Sequence, residues 1–127
     1  MTNINDAQKE FVLTKSAKSF KYAGRGLKVF LKTTPNAWVQ LAVFLCALAL
    51  GFYYQISRIE WIMLIFASGL VITAEAFNTA IEIDINLTSA TYHPYARDTK
   101  DVAAGAVLIA AGIAIVVGLL IFIPYIF

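Results

Sequence analysis

Three apolar runs, each close to the length of one bilayer crossing, decide what this chain can fold into. They cover about residues 37–56, 61–85 and 102–126 of 127. The hydrocarbon core of a bilayer takes roughly 20 residues of helix. With no water there to bond the backbone, each run must satisfy its own N–H and C=O groups, as a helix does. The runs leave no room for a separate soluble domain. Of all residues 60% are hydrophobic and only 14% are charged, where a soluble domain carries about 25% charged. The expected fold is an all-α membrane protein with a single membrane domain over residues 1–127.

Ahead of the first run the chain is basic. Lys9, Lys15, Lys18, Lys21, Arg25, Lys28 and Lys32 are seven of the ten Lys and Arg residues. Over residues 6–32, Leu13, Ala17, Phe20, Gly24, Leu27 and Leu31 step by four and three, with lysines on most of the remaining wheel. That pattern predicts an amphipathic helix lying in the membrane surface, or packed on the protein's own helices. The basic cluster suits anionic headgroups or nucleotide phosphate; without an aromatic-rich RNA motif it does not indicate a nucleic-acid partner. Thr33-Thr-Pro-Asn36 breaks the pattern, with Thr34 a candidate cap and Pro35 a candidate first helical residue. The first apolar run shows no clear small-residue cleavage site, so a cleaved leader is not expected. Ser57-Arg-Ile-Glu60 reads as a tight link, with Arg58 balanced by Glu60. Asn86–Asp101 reads as a longer polar loop. The basic N-terminus and the Arg97/Lys100 loop should both be cytoplasmic, and three crossings connect them consistently. Cys46 is the only cysteine, so no internal disulfide can form.

The chemistry concentrates in the second run. Glu75, Asn78, Thr79 and Glu82 fall at i, i+3, i+4 and i+7, one stripe of a helix. A carboxylate at mid-bilayer costs at least about 2.5–3.5 kcal/mol, so two in register mark a polar site at the membrane boundary. Polar groups can also serve only to glue helices together, but two carboxylates on one face repel unless a metal, proton or cation intervenes. Seven residues separate them by about 10 Å along the axis. The deeper Glu75 suits a general base; Glu82, nearer water and headgroups, suits a ligand for a hard cation such as Mg²⁺. Asn78 lies between and can orient a hydroxyl. At the head of the third run, Asp98 or Asp101 can cap a helix N-terminus. Lys100 is disfavoured there by the dipole, which makes it a candidate phosphate ligand. His93 is the only histidine, so a histidine-based zinc site is not expected. In the third run Ala106, Ala110, Ala114 and Gly118 recur every four residues, a groove for close helix contact in lipid. Three thin spans enclose little core, so a homo-oligomer is expected.

Several of these segments together resemble a known family. Glu75-Ala-Phe-Asn-Thr-Ala-Ile-Glu82, Tyr92-His-Pro94 and Lys100-Asp-Val-Ala-Ala-Gly-Ala-Val-Leu108 are similar to the small bacterial integral-membrane lipid kinases, the diacylglycerol kinase and undecaprenol kinase family. Ser19-Phe-Lys-Tyr-Ala23, Gly26-Leu-Lys28 and Ile56-Ser-Arg-Ile-Glu-Trp61 extend the match over roughly residues 15–124, in the same order. The resemblance implies a homotrimer in the bacterial inner membrane, with active sites shared between subunits. It also implies transfer of the ATP γ-phosphate to a lipid alcohol, undecaprenol or diacylglycerol, assisted by Mg²⁺. By position, Glu75 corresponds to the base, with Asn78 supporting the site. Glu82 corresponds to a metal ligand within the ATP site, Lys100 and Asp101 to nucleotide contacts, and Tyr22 and Gly26 to positions near adenine and phosphates.

Three positions depart from the family pattern. The glutamate usual near the end of the surface helix is Thr34 here, and the acidic position one turn after Glu82 is Asn86. Asp98 is acidic where the family usually is not, which makes Glu82 with Asp98, or Glu82 with phosphate oxygens and water, a candidate Mg²⁺ site. The missing glutamate motivates one alternative, a weak or inactive nucleotide- or lipid-binding relative of the same fold. A small ion or proton carrier using Glu75 and Glu82 is another; it predicts flux without ATP and leaves the basic segment without a purpose.

Overall fold

The computed structural model describes residues 3–127. Four helices follow in order: α1 (Ile4–Thr33), α2 (Pro35–Tyr54), α3 (Arg58–Thr88) and α4 (Pro94–Ile126). The last three are long and apolar enough to cross a membrane. The chain divides into two compact units, residues 1–33 and residues 34–127.

The first unit is α1. It opens with Asp6 in its first turn and closes with Lys32 in its last, each sign matching the helix dipole at its end. Leu13, Phe20 and Leu27 of the predicted stripe are exposed, as are all seven basic residues of the segment.

In the second unit the turn between α2 and α3 explains itself residue by residue. Gln55 caps α2 in the left-handed region at φ 51°, the conformation in which many helices end, most often at a glycine. Ser57 then caps α3 with a reciprocal box. Its hydroxyl accepts from Glu60 N at 3.2 Å, and Glu60 Oε1 accepts from Ser57 N at 3.1 Å. Such a box satisfies two orphan donors. Glu60 therefore serves the cap and not Arg58, and its Oε1 also accepts from Tyr125 Oη at 2.6 Å. That bond ties the end of α4 to the start of α3. Nearby, Ile56, Leu64, Ile121 and Phe122 form the buried apolar cluster, with Tyr54 and Trp61 packed against it. Phe52 and Trp61 meet with ring centres 4.9 Å apart. Gly51 lets that ring in: a methyl group there would lie 2.6 Å from Trp61 Cη2. Gly51→Ala is thus expected to cost about 1–3 kcal/mol by overpacking, read as a lower unfolding temperature in detergent; an unchanged temperature would contradict the packing.

The buried residues of α3 form one seam: Leu64, Ala67, Val71, Glu75, Asn78 and Thr79. Its first half is apolar and its second half polar, so the stripe read from the sequence continues the packing surface of the helix. On α4, Ala103 and Ala110 are buried one heptad apart, small residues that allow close approach.

The ends of the helices differ from the sequence reading in an instructive way. The polar segment 86–101 is mostly helical, and only residues 89–93 connect the two helices. α3 runs on to Thr88, and α4 begins at Pro94, eight residues before the expected crossing. Pro94 takes the first helical position, which needs no N–H, and His93 caps it, its Nδ1 accepting from Tyr95 N at 3.2 Å. Asp98, Lys100 and Asp101 therefore lie inside α4, past its first turn, so neither aspartate is the cap. The dipole argument for Lys100 lapses with it. Thr34 does occupy the N-cap position of α2, but its side chain makes no capping bond; the hydroxyl is engaged elsewhere.

Candidate active site

The polar end of the second unit is built around α3. Glu75 is only 3% exposed. It is held from α2, where Gln40 Nε2 donates to Glu75 Oε2 at 3.0 Å. One turn further, Asn78 is buried, and its Nδ2 donates to Glu82 Oε1 at 3.3 Å. Thr79 shares a 2.6 Å hydroxyl–hydroxyl bond with Thr34, both side chains buried. One turn beyond Glu82, Asn86 Oδ1 accepts from Lys100 Nζ at 2.7 Å. Glu75, Asn78, Glu82 and Asn86 thus continue along one stripe, and α4 delivers its lysine to the end of it.

Two acceptors in this set are bare. Gln40 Oε1 and Asn78 Oδ1 are buried without a hydrogen-bond partner. Buried carbonyl oxygens are seldom left so, and both belong to residues bonded to one of the two carboxylates. The set is therefore polarised: carboxylates and free carbonyl oxygens on α3 and α2, one ammonium on α4. Such an array suits a ligand that brings hydroxyl protons and cations to one side and negative charge to the other.

The predicted residues are accounted for as follows. Glu75 and Asn78 lie in the seam; Glu82 leaves it and is exposed. Lys100 is half-buried on Asn86, and Asp101 is exposed beside it in sequence. Asp98 is exposed and pairs with Arg97 at 3.6 Å. Among the described residues, no three His, Cys, Asp or Glu side chains gather as a metal cluster. Tyr22 and Gly26 lie on α1, Tyr22 exposed and Gly26 with open space where a Cβ would be. Three partners escaped the sequence reading: Gln40, Asn86 as a mooring for Lys100, and the Thr34–Thr79 pair. Gln40 had a signal, as a lone amide within an apolar span.

The sequence is matched by known proteins. The family model described as prokaryotic diacylglycerol kinase matches residues 21–122. The chain belongs to this family. It is an ATP-dependent lipid kinase by that membership. The undecaprenol kinase of Bacillus subtilis (strain 168) is 39% identical over 112 residues, covering 88% of this chain and 91% of the relative. A diacylglycerol kinase of Synechocystis sp. is 35% identical over 101 residues, 79% of this chain and 58% of that longer protein. The Escherichia coli (strain K12) diacylglycerol kinase is 28% identical over 110 residues, 81% and 84% of the two chains. The matched span contains the polar contacts described above for the second unit, from Thr34 to Lys100.

Proposed function

We propose that the chain transfers the γ-phosphate of ATP to the hydroxyl of undecaprenol or diacylglycerol, at the cytoplasmic surface of the bacterial inner membrane. The observation that carries this reading is the ladder itself: a buried carboxylate at one end, Glu75, and an ammonium delivered to the other, Lys100 on Asn86. Glu75 takes the proton of the lipid hydroxyl. The hydroxyl oxygen then forms its bond to the γ-phosphorus as the bond to the β,γ-bridging oxygen breaks, and ADP leaves with that electron pair. Phosphoryl transfer of this kind asks mainly for positioning and charge neutralisation. Lys100 offsets negative charge on the phosphates, with Asp101 beside it at the nucleotide. Tyr22 and Gly26 of α1 would serve adenine and phosphates. Arg97 and Lys100 put this end of the bundle on the cytoplasmic side by the positive-inside rule.

Mg²⁺ fits the donor types present. The bare Asn78 Oδ1 stands on a residue already bonded to Glu82, and a carboxylate with an amide carbonyl is a pair of hard oxygen donors. Glu82 and Asn78 would hold the ion, with Asp98, now paired with Arg97 at 3.6 Å, a further carboxylate for it. When bound, the ion would neutralise charge on the β- and γ-phosphates. The large exposed apolar surface of α2, α3 and α4, including Val39, Phe66, Leu108 and Ile115, supports both lipid contact and assembly with further copies, as a homotrimer.

The decisive experiment is transfer from labelled ATP, with Mg²⁺, to each lipid alcohol by the purified protein. Absence of product with every alcohol would refute the kinase reading. Thr34→Glu probes the position where the family usually keeps a glutamate. It breaks the Thr34–Thr79 bond and adds a carboxylate to the polar end. We expect tighter Mg²⁺ binding, by roughly 10-fold, in a titration with ATP present; unchanged affinity would mean that Thr34 is not equivalent to the family's glutamate.

A further inference from the structure

Gln40 is the one amide side chain of α2 beyond its first turn. An amide in a membrane-crossing helix is costly unless its donors and acceptor are used. Half of this one is used, by the bond from Nε2 to Glu75 Oε2. The other half, Oε1, is buried and bare. Adhesion between α2 and α3 explains the bonded nitrogen; it gives no reason for the bare oxygen.

The surroundings supply one. Gln40 also lines a groove of about 510 Å³ formed by α2, α3 and α4. Its walls are otherwise apolar, with side chains such as Val43, Leu50, Val71 and Phe122. Ser68 carries the only hydroxyl among the lining side chains. The groove therefore has a single amide in its wall, and that amide is bonded to the carboxylate read above as the base.

We propose that Gln40 is a positioning and specificity-determining residue, holding Glu75 for the reaction and selecting an ester-free lipid alcohol, a polyprenol, whose chain lies in the groove. The proposal rests on the kinase reading and narrows it. A diacylglycerol brings two ester groups within a few bonds of its hydroxyl. The groove offers those acceptors almost no donors. Of the two Gln40 N–H donors one is committed to Glu75, and Oε1 is one more acceptor. Ester carbonyls drawn in would lose water and gain no partner. A polyprenol has only hydrocarbon behind its hydroxyl, which matches the walls. As it arrives, its hydroxyl donates to the bare Oε1 before the proton passes to Glu75.

The test compares a long-chain prenol with dioleoylglycerol in mixed micelles, using full-length protein, labelled ATP and the variants Gln40→Met and Gln40→Glu. For the wild type, kcat/KM for the prenol should exceed that for dioleoylglycerol by roughly 10-fold or more. Gln40→Met keeps the length and removes both polar atoms. Its kcat on the prenol should fall roughly 10–100-fold while KM for ATP stays within about twofold, and its preference between lipids should narrow. Gln40→Glu keeps the shape and an acceptor but cannot donate as a carboxylate; it should lose kcat and retain the lipid preference. Should Gln40→Met not fold, Gln40→Leu, which also removes both polar atoms, takes its place and is read in the same way. A purely structural residue would depress both lipids equally in Gln40→Met and leave the preference between them unchanged. Equal or better wild-type use of dioleoylglycerol, or wild-type kcat and lipid ratio in Gln40→Met, would overturn the proposal. Failure of the wild type on every alcohol would instead remove the kinase reading beneath it.

Discussion

Glu75→Gln is expected to lower the rate of phosphate transfer roughly 10²–10⁴-fold, the range a positioned general base contributes. The fold should survive. Gln40 Nε2 donates to one oxygen of Glu75 at 3.0 Å, and the carbonyl oxygen of a glutamine can accept the same bond. The substitution also takes a carboxyl group out of a side chain only 3% exposed, so no burial cost is added. The informative comparison is therefore activity against thermal unfolding in detergent: activity lost, unfolding temperature held within a few degrees. Full activity in the variant would refute the assignment of the base.

The second large effect is expected at Glu82. This side chain is exposed, so Glu82→Gln should be close to neutral for stability. Its bond from Asn78 Nδ2 can pass to the glutamine oxygen. What the substitution removes is charge. Activity should be lost at ordinary Mg²⁺ concentrations, and the Mg²⁺ requirement, or nucleotide binding measured with Mg²⁺ present, should weaken by roughly 10–100-fold. The two variants separate by this second readout: Glu75→Gln should bind ATP and Mg²⁺ like the wild type. Loss of turnover in Glu82→Gln with an unchanged Mg²⁺ titration would move Glu82 out of the ion's reach and leave Asn78 without its proposed companion.

The parts of the fold that lipid dictates were legible before any coordinates. Apolar run length located α2, α3 and α4, and helical spacing put Glu75, Asn78 and Thr79 on the face that is buried. Hydropathy marks where hydrocarbon begins, however, and a helix begins where its first N–H groups are satisfied. That is why α4 starts at Pro94, under the His93 cap, among residues whose polarity had read as a loop. The same cause moved Asp98 and Asp101 from caps to the flank of a helix. Contacts across the sequence were beyond reach for another reason. Gln40 is 35 residues from Glu75, and Thr34 is 45 from Thr79; no local period encodes such pairs. Sequence could say that Thr34 lacks a carboxyl group, but only packing reveals that its hydroxyl has found Thr79. Tyr22 and Gly26 came from family likeness alone, since a small residue and an exposed tyrosine on α1 carry no pattern of their own.

The two cations of α4 are moored differently, and the difference has a cost attached. Arg97 is paired with Asp98 and lies 6.0 Å above the Tyr92 ring, so an incoming polyanion would have to outbid a counterion to recruit it. Lys100 rests on a neutral oxygen, Asn86 Oδ1. An aspartate at that position would cancel the ammonium in advance. An asparagine steadies the long side chain and leaves its field intact, so the lysine is at once pre-aimed and electrically unspent.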